Sequence, residues 1–369
     1  MLTQSRAVVF PAPHAKPELR LYPIPDLQPG EILLKVLLTE VCGTDVHLQQ
    51  GRLAGVPYPL IPGHVSIGEA VAISGEVRDV EGNSPKVGET LTFLDVIETC
   101  GNCWYCLVAK ASTRCPLRKV YGITLGADEA PGLAGGWSEY MILRAGTKCL
   151  KLKSGVTPEA FIGAGCGLPT AVHAIERADI TLGDRVLIQG SGPVGLSACA
   201  LALLSGAGWV GVIGAPEFRL QAARDFGADF TLDVTTTTPA ERLKAVRDAT
   251  GGRGADIVIE ASGNPHAVPE GCDLTRDGGR FVIVGQYTDH GDIPLNPHLQ
   301  INKKQLEIRG CWGSDFSHVH RAMSVLSRFG GRMDWSSLIS KTYTLDDAGQ
   351  ALDDVANQRV VKAVISPGR

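Results

Sequence analysis

The chain has 369 residues, 44% of them hydrophobic and 20% charged, with a formal net charge of −4. That is ordinary globular material, long enough for two domains with separate cores. No block of lysine and arginine suggests a nucleic-acid or anionic-lipid partner, and the apolar runs EILLKVLL and SACALALLSGAGWVGVIG are too short or too interrupted for a membrane helix of about twenty residues, so the expected partner is a small molecule.

In chain order, the first half reads as short β segments bounded by Pro and Gly: RAVVF, EILLKVLLTEV, IGEAVAI and ETLTFLDV. From about Gly155 the texture changes to alternating strands and helices, DRVLIQ, PVGLSACALALLS, GWVGVIG, PEFRLQAARDFGA and DFTLDV, then PAERLKAVRDATG, ADIVIEAS and GRFVIVG. This alternation predicts a doubly wound parallel sheet with helices on both faces. After Gly310 the mixed character returns. The expectation is an α/β chain in which a β-rich domain, residues 1–160 and 311–369, is interrupted by a dinucleotide-binding domain at 161–310.

Within the β-rich half, Cys100, Cys103, Cys106 and Cys115 are spaced C-x2-C-x2-C-x8-C. Two-residue spacers let one tight loop turn several sulfurs toward a single point, at about 2.3 Å from a tetrahedral zinc. A pair of disulfides and an iron–sulfur cluster are the alternatives. Met1 to Phe10 lacks a basic segment followed by a long apolar core, which points to a reducing, cytoplasmic setting and away from disulfides.

In the second half, strand DRVLIQ runs directly into Gly190-Ser191-Gly192-Pro193-Val194-Gly195, followed by the small-residue helix LSACALALL. Strand, glycine turn and helix in that order suit a pyrophosphate: Gly190 makes the turn, Gly192 admits the phosphate to the backbone, and Gly195 permits close helix packing. At the end of the next strand, where an NAD site carries an acid, stands Gly214, and Arg219 in the following turn is placed to pair with a 2′-phosphate. NADP is therefore the expected cofactor. NAD is the alternative if Arg219 is a solvated helix residue and Glu217 binds the ribose.

Three further segments complete the pattern: Val41-Cys42-Gly43-Thr44-Asp45-Val46-His47, Pro62-Gly63-His64, and Gly165-Cys166-Gly167-Leu168-Pro169-Thr170. Here the chain resembles the zinc-dependent alcohol dehydrogenases of the medium-chain dehydrogenase/reductase superfamily over nearly its whole length. The resemblance implies a GroES-like catalytic domain beside the Rossmann domain, and a second, catalytic zinc on Cys42, His64 and Cys166. Three protein ligands leave one position open for a substrate oxygen. It also implies that Asp45 orients the zinc histidine through its other ring nitrogen, and that Thr44 and His47 form a proton relay. Val284 and Gly285 would line the nicotinamide side, Lys362 would meet a cofactor phosphate, and Leu48, Leu53, Val96, Leu168 and Trp312 would face an apolar substrate. One departure is Val65, where the family has Glu after the zinc histidine. Asp95 is a candidate to compensate. Cys149, Cys199, Cys272 and Cys311 match no ligand position and read as packing residues.

The activity implied is hydride transfer between a primary or secondary alcohol, alicyclic or aromatic, and NAD(P). A polyol or amino-sugar substrate, a zinc-independent quinone or enone reductase, and a non-catalytic dinucleotide-binding protein are the alternatives. A homodimer or homotetramer is expected, through edge strands of the nucleotide domains.

Overall fold

The computed structural model describes residues 3–368; Met1, Leu2 and Arg369, at the ends of the expected first domain, lie outside the described residues. The chain divides into two compact units, Met1–Gly165 with Asp315–Arg369, and Cys166–Ser314. Among the described residues no helix is long and apolar enough to cross a membrane.

The first unit opens with the antiparallel pair β1 (Gln4–Val9) and β2 (Glu18–Pro23). Next comes β3 (Ile32–Val41), whose run ILLKVLLTEV is buried along almost its whole length because its alternating side chains enter two cores, Ile32, Leu34 and Val36 one and Leu33 and Val41 the other. Helix α1 (Gly43–Gln49) follows, then β4 (Ser66–Ile73), β5 (Thr90–Phe93) and β6 (Val96–Glu98). The single-turn α2 (Trp104–Leu107) leads to β7 (Lys119–Val120), β8 (Tyr140–Leu143) and β9 (Cys149–Lys151). β3 pairs antiparallel with β4 and β8, while β5 and β9 extend the sheet beyond β4. Helix α3 (Pro158–Ala164), capped by Thr157 with Pro158 in its first turn, closes this segment. It belongs to the first unit because Phe161 and Ile162 are buried and Gly163 lies so close to the Trp335 carbonyl that no side chain fits between them. That packing carries the unit past residue 160.

The second unit is built on six strands, all parallel to their neighbours. In chain order it comprises α4 (Gly167–Ala178), β10 (Arg185–Gln189), α5 (Pro193–Leu204), β11 (Trp209–Gly214), α6 (Glu217–Asp225), β12 (Phe230–Asp233), α7 (Pro239–Ala249), β13 (Ala255–Glu260), α8 (Ala267–Leu274), β14 (Thr275–Ile283) and β15 (Glu307–Gly310). The spatial order β12-β11-β10-β13-β14-β15 is that of a Rossmann sheet, with the reversal between β10 and β13. α5 is apolar all round and buried from Gly195 to Ala202. α7 carries a reciprocal cap between Thr238 and Glu241, with Pro239 in its first turn.

The chain then returns to the first unit as α9 (Phe316–Phe329), β16 (Ile339–Tyr343), α10 (Ala348–Ala356) and β17 (Lys362–Ile365). β17 adds antiparallel to β3, with Val364 opposite Glu40, and β16 flanks β17. The first core collects Phe10, Leu33, Leu48, Leu60, Trp137 and Ile365. Phe10 meets Trp137 edge to face at 5.5 Å, and the Trp137 indole N–H donates to the Glu40 carbonyl at 3.2 Å.

Candidate functional site

β3 delivers the chain to Cys42, which caps α1. Asp45, one turn in, uses both carboxylate oxygens on backbone amides: Oδ2 accepts from the Cys42 N–H at 2.9 Å and Oδ1 from the Gly63 N–H at 3.4 Å. One buried carboxylate thus ties together the two stretches that carry Cys42 and His64. Gly63 has φ +89°, and a Cβ there would lie 2.5 Å from the Trp137 ring, so only glycine lets this turn form. The His64 Nδ1 atom is buried and has no hydrogen-bond partner among the described residues. Asp45 meets the histidine's stretch through the Gly63 amide, with Oδ2 engaged by the Cys42 N–H and Oδ1 by the Gly63 N–H.

His64 Nε2 lies 3.8 Å from Cys42 Sγ and 3.7 Å from Glu40 Oε1. One donor atom from each of Glu40, Cys42, His64 and Cys166 falls within 4.8 Å of the others. Cys166 joins from the end of α3: the preceding residue, Gly165, is pressed so tightly onto Glu40 and Lys362 that a Cβ would collide with both. Burial pushes the His64 imidazole down, but the Cys42 thiolate, with Asp45 and Glu40 behind it, holds it well above the ordinary histidine value. Burial, then the same thiolate, hold the Asp45 carboxyl well above the usual carboxylate range. Acids and thiols outnumber the bases here, and two thiols with an imidazole are a zinc donor set, so the residues present fit a divalent cation.

Glu40 escaped the sequence reading. Its signal was an acid near the end of an otherwise apolar strand, two residues before Cys42, in a chain that lacks the family's Glu after the histidine. Asp95, the expected substitute, is buried enough to raise its carboxyl and feels His64, but it is not in the four-residue group. Lys362, on β17 where it pairs with β3, is 1% exposed, and its ammonium sits 2.5 Å from Glu40 Oε2. Thr44 and His47 are half-buried and stand three residues apart on α1, which places them on one helix face. Leu48 is wholly buried in the first core, Val96 packs with Leu94, Val120 and Val319, and Leu168 is buried, whereas Trp312 stacks on Tyr287 at 5.8 Å.

The four cysteines of the loop between β6 and β7 converge. Their sulfurs lie within 4.8 Å of one another, and those of Cys103 and Cys106 are 3.5 Å apart. Backbone N–H groups of Cys100 and Cys103 donate to the sulfurs of Cys115 and Cys100, each at 3.3 Å. The Asn102 amide, followed by Cys103, brings the Cys100 thiol down to about 7, while burial and the neighbouring thiols push Cys106 up to about 11. All ten cysteines are free thiols. Cys149, Cys199, Cys272 and Cys311 are buried, and their thiols are raised chiefly by that burial.

In the second unit the glycine turn lies at the reversal of strand order. Gly190 has φ +111°, and a Cβ on it would lie 2.7 Å from the Ala261 carbonyl. Gly195 is packed against the Gly190 carbonyl with no room for a side chain, whereas the space above Gly192, the cap of α5 before Pro193 and Val194, is open. An open cradle at a helix N-terminus is what a pyrophosphate requires. Gly214 packs directly on Ser191, whose hydroxyl donates to the Ala215 carbonyl at 3.1 Å. Glu217 is paired with Arg224 along α6, and Arg219 is half-buried, its guanidinium lowered by desolvation. Glu260, fully buried at the end of β13, accepts from Ser262 N–H, Ser262 Oγ, Gly263 N–H and, at 3.1 Å, Gly285 N–H. The Val284 N–H donates to its carbonyl at 2.9 Å. This clamp, which sets Val284 and Gly285 in place, was not read from the sequence.

Residues 28–154 match the family profile of the alcohol dehydrogenase GroES-like domain, and residues 193–328 that of the zinc-binding dehydrogenases. The chain is 33% identical to 5-exo-hydroxycamphor dehydrogenase of Pseudomonas putida, with 93% of each chain covered. The crystal structure of an alcohol dehydrogenase from Thermotoga maritima superposes with a TM-score of 0.93 at 35% identity, covering 99% of both chains. A zinc-binding dehydrogenase from Sinorhizobium meliloti 1021, whose structure contains NADP, superposes with a TM-score of 0.86 at 25% identity over 99% of this chain and 100% of that one.

Proposed function

The chain belongs to the zinc-dependent alcohol dehydrogenases of the medium-chain dehydrogenase/reductase superfamily, and from that premise we propose that it transfers hydride between an alicyclic or aromatic alcohol, primary or secondary, and NADP. It is an NAD(P)-dependent oxidoreductase acting on CH–OH groups. The observation that carries the reading is the convergence of Cys42, His64 and Cys166 on one buried point. Zinc held there supplies a Lewis acid that acidifies an alcohol or polarises a carbonyl. A second zinc on Cys100, Cys103, Cys106 and Cys115 is structural.

Asp45 holds the backbone of Cys42 in register with that of Gly63, the residue before His64, so the donor atoms are placed before any substrate arrives. The Thr44 hydroxyl accepts the proton that leaves the alcohol oxygen as it gives up its own toward His47, on the same face of α1, which releases a proton to solvent. In the second unit the Gly190–Gly195 turn and the first turn of α5 receive the pyrophosphate, while Val284 and Gly285, fixed by Glu260, border the nicotinamide. Three features support NADP: no acid ends β11, Glu217 is engaged by Arg224, and a relative of similar fold contains it. The relative whose substrate is a hydroxycamphor supports an alicyclic alcohol. A polyol or amino-sugar is the second reading, favoured by the buried Asp95 carboxyl near His64. The exposed edge strand β15, with Ile308 39% exposed, supports a homo-oligomer, and the free thiols support a cytoplasmic setting.

The test is elemental analysis for zinc, followed by oxidation of alicyclic, aromatic and polyol substrates with NADP or NAD, before and after chelation. Two zincs per chain and chelator-sensitive, NADP-preferring turnover of cyclic alcohols are expected. One zinc with no alcohol oxidation would overturn the reading, and preference for polyols would move it to the second.

A further inference from the structure

Glu40 is wholly buried, and its two carboxylate oxygens face different partners. Oε2 lies 2.5 Å from the Lys362 ammonium, and Oε1 turns the other way, to 3.7 Å from His64 Nε2. The backbone of Glu40 is held on two sides: its N–H donates to the Val65 carbonyl at 3.2 Å, and its carbonyl accepts from the Trp137 indole. Residue 65, after the histidine, is a valine and offers no donor. An acid that served only to neutralise a buried lysine has no reason to place an oxygen among three soft metal donors. Charge is compatible with this placement: two thiolates balance a divalent cation and Lys362 balances Glu40, so a Glu40 oxygen can join the donor set without adding net charge to the buried pair.

We propose that Glu40 is the fourth protein donor of this metal centre, standing in from β3 for the carboxylate that Val65 cannot provide, with Lys362 as the buried counter-charge that moderates its hold on the metal. The proposal rests on the reading of Cys42, His64 and Cys166 as the metal site. Glu40 Oε1 would complete the donor set while Oε2 stays on Lys362.

The experiment uses the full chain, with the four-cysteine loop as an internal one-metal reference, and compares wild type, Glu40→Gln, Lys362→Met and the Glu40→Gln/Lys362→Met double variant. Zinc affinity of the second equivalent is measured by competition with a chromophoric chelator, and the visible absorption of the cobalt-substituted site is recorded. Loss of Glu40, singly or in the double variant, is expected to weaken metal binding at this site about 10–100-fold and to alter the cobalt spectrum. Lys362→Met is expected to hold metal at least as tightly as wild type, with the carboxylate-type cobalt spectrum retained. The double variant leaves no lone ammonium behind; should it fail to fold, Glu40→Asp, which withdraws the oxygen while keeping the charge, gives the same reading through weakened cobalt binding. Wild-type affinity and spectrum in whichever of these folds would overturn the proposal and leave Glu40 as the structural partner of Lys362. A wild-type chain that binds only one metal would instead overturn the metal centre itself.

Discussion

A side chain at Gly214 would collide with Ser191, so the end of β11 must be glycine if the Gly190 turn is to close over it. The same requirement removes the acid that would discriminate against a 2′-phosphate, and packing and cofactor choice are thereby linked at one residue. Arg219, at the start of α6, is then the residue to test. Arg219→Gln should lower kcat/KM for NADP about 10–100-fold, the loss of one charge-assisted contact worth about 1.5–3 kcal/mol, while leaving NAD turnover unchanged. Equal losses with both cofactors would assign Arg219 to packing. Thr44→Val should lower kcat by about 10²–10⁴ with the zinc content intact, measured by turnover beside elemental analysis. The candidate ligand residues were legible because Cys and His in short motifs have few other uses in combination. Glu40 was not, because an acid in an apolar strand becomes meaningful only once its neighbours across the sheet are known.

At the scale of elements, the loop between β6 and β7 has almost no core of its own. Trp104, Leu107, Val108 and Leu117 are each more than half exposed, so a metal shared by the four sulfurs, as proposed, would be what organises this segment. Chelation should therefore raise hydrogen exchange within residues 99–118 while β3 and β10 stay protected, and uniform deprotection would show that the loop is not a separate metal-dependent element. α10 is anchored differently: Asp354 accepts from Tyr343 Oη at 2.6 Å, Gln350 at 2.9 Å and Arg359 at 3.1 Å. The Tyr343 hydroxyl, against burial and with help from Arg359 and Gln350, holds this carboxyl below its ordinary value. Its folded value lies under its unfolded one, so the stability it contributes is present above about pH 4 and is lost as the pH falls through the folded value. Asp354→Asn should lower Tm near neutrality, and the gap to wild type should narrow as the pH is reduced from about 6 toward 3. A constant gap would exclude the charge as its cause.

For the whole molecule, the interruption of one unit by another means that the β-rich sheet is completed only when β17 returns from the far end of the chain. Binding should stabilise the second unit by mass action: NADP at about 100 times its Kd adds about 2.7 kcal/mol, or a rise in Tm of about 5–10 °C. NAD at the same concentration should give less, and an equal shift would count against NADP preference. What the sequence by itself determined are the features written within the length of a turn: the cysteine loop, the glycine turn between a buried strand and a small-residue helix, the Cys-Gly-Thr-Asp and Gly-His segments, and the change from β punctuation to strand–helix alternation. Local spacing suffices there, because the chemistry and the backbone geometry share the same few residues. Only the tertiary structure decided that Asp45 bonds the Gly63 amide, that Glu260 clamps Gly285, and that Lys362 faces Glu40 across 322 residues of chain. Those contacts depend on loop approach and strand register, which are set when distant segments pack, and no spacing within either segment encodes them.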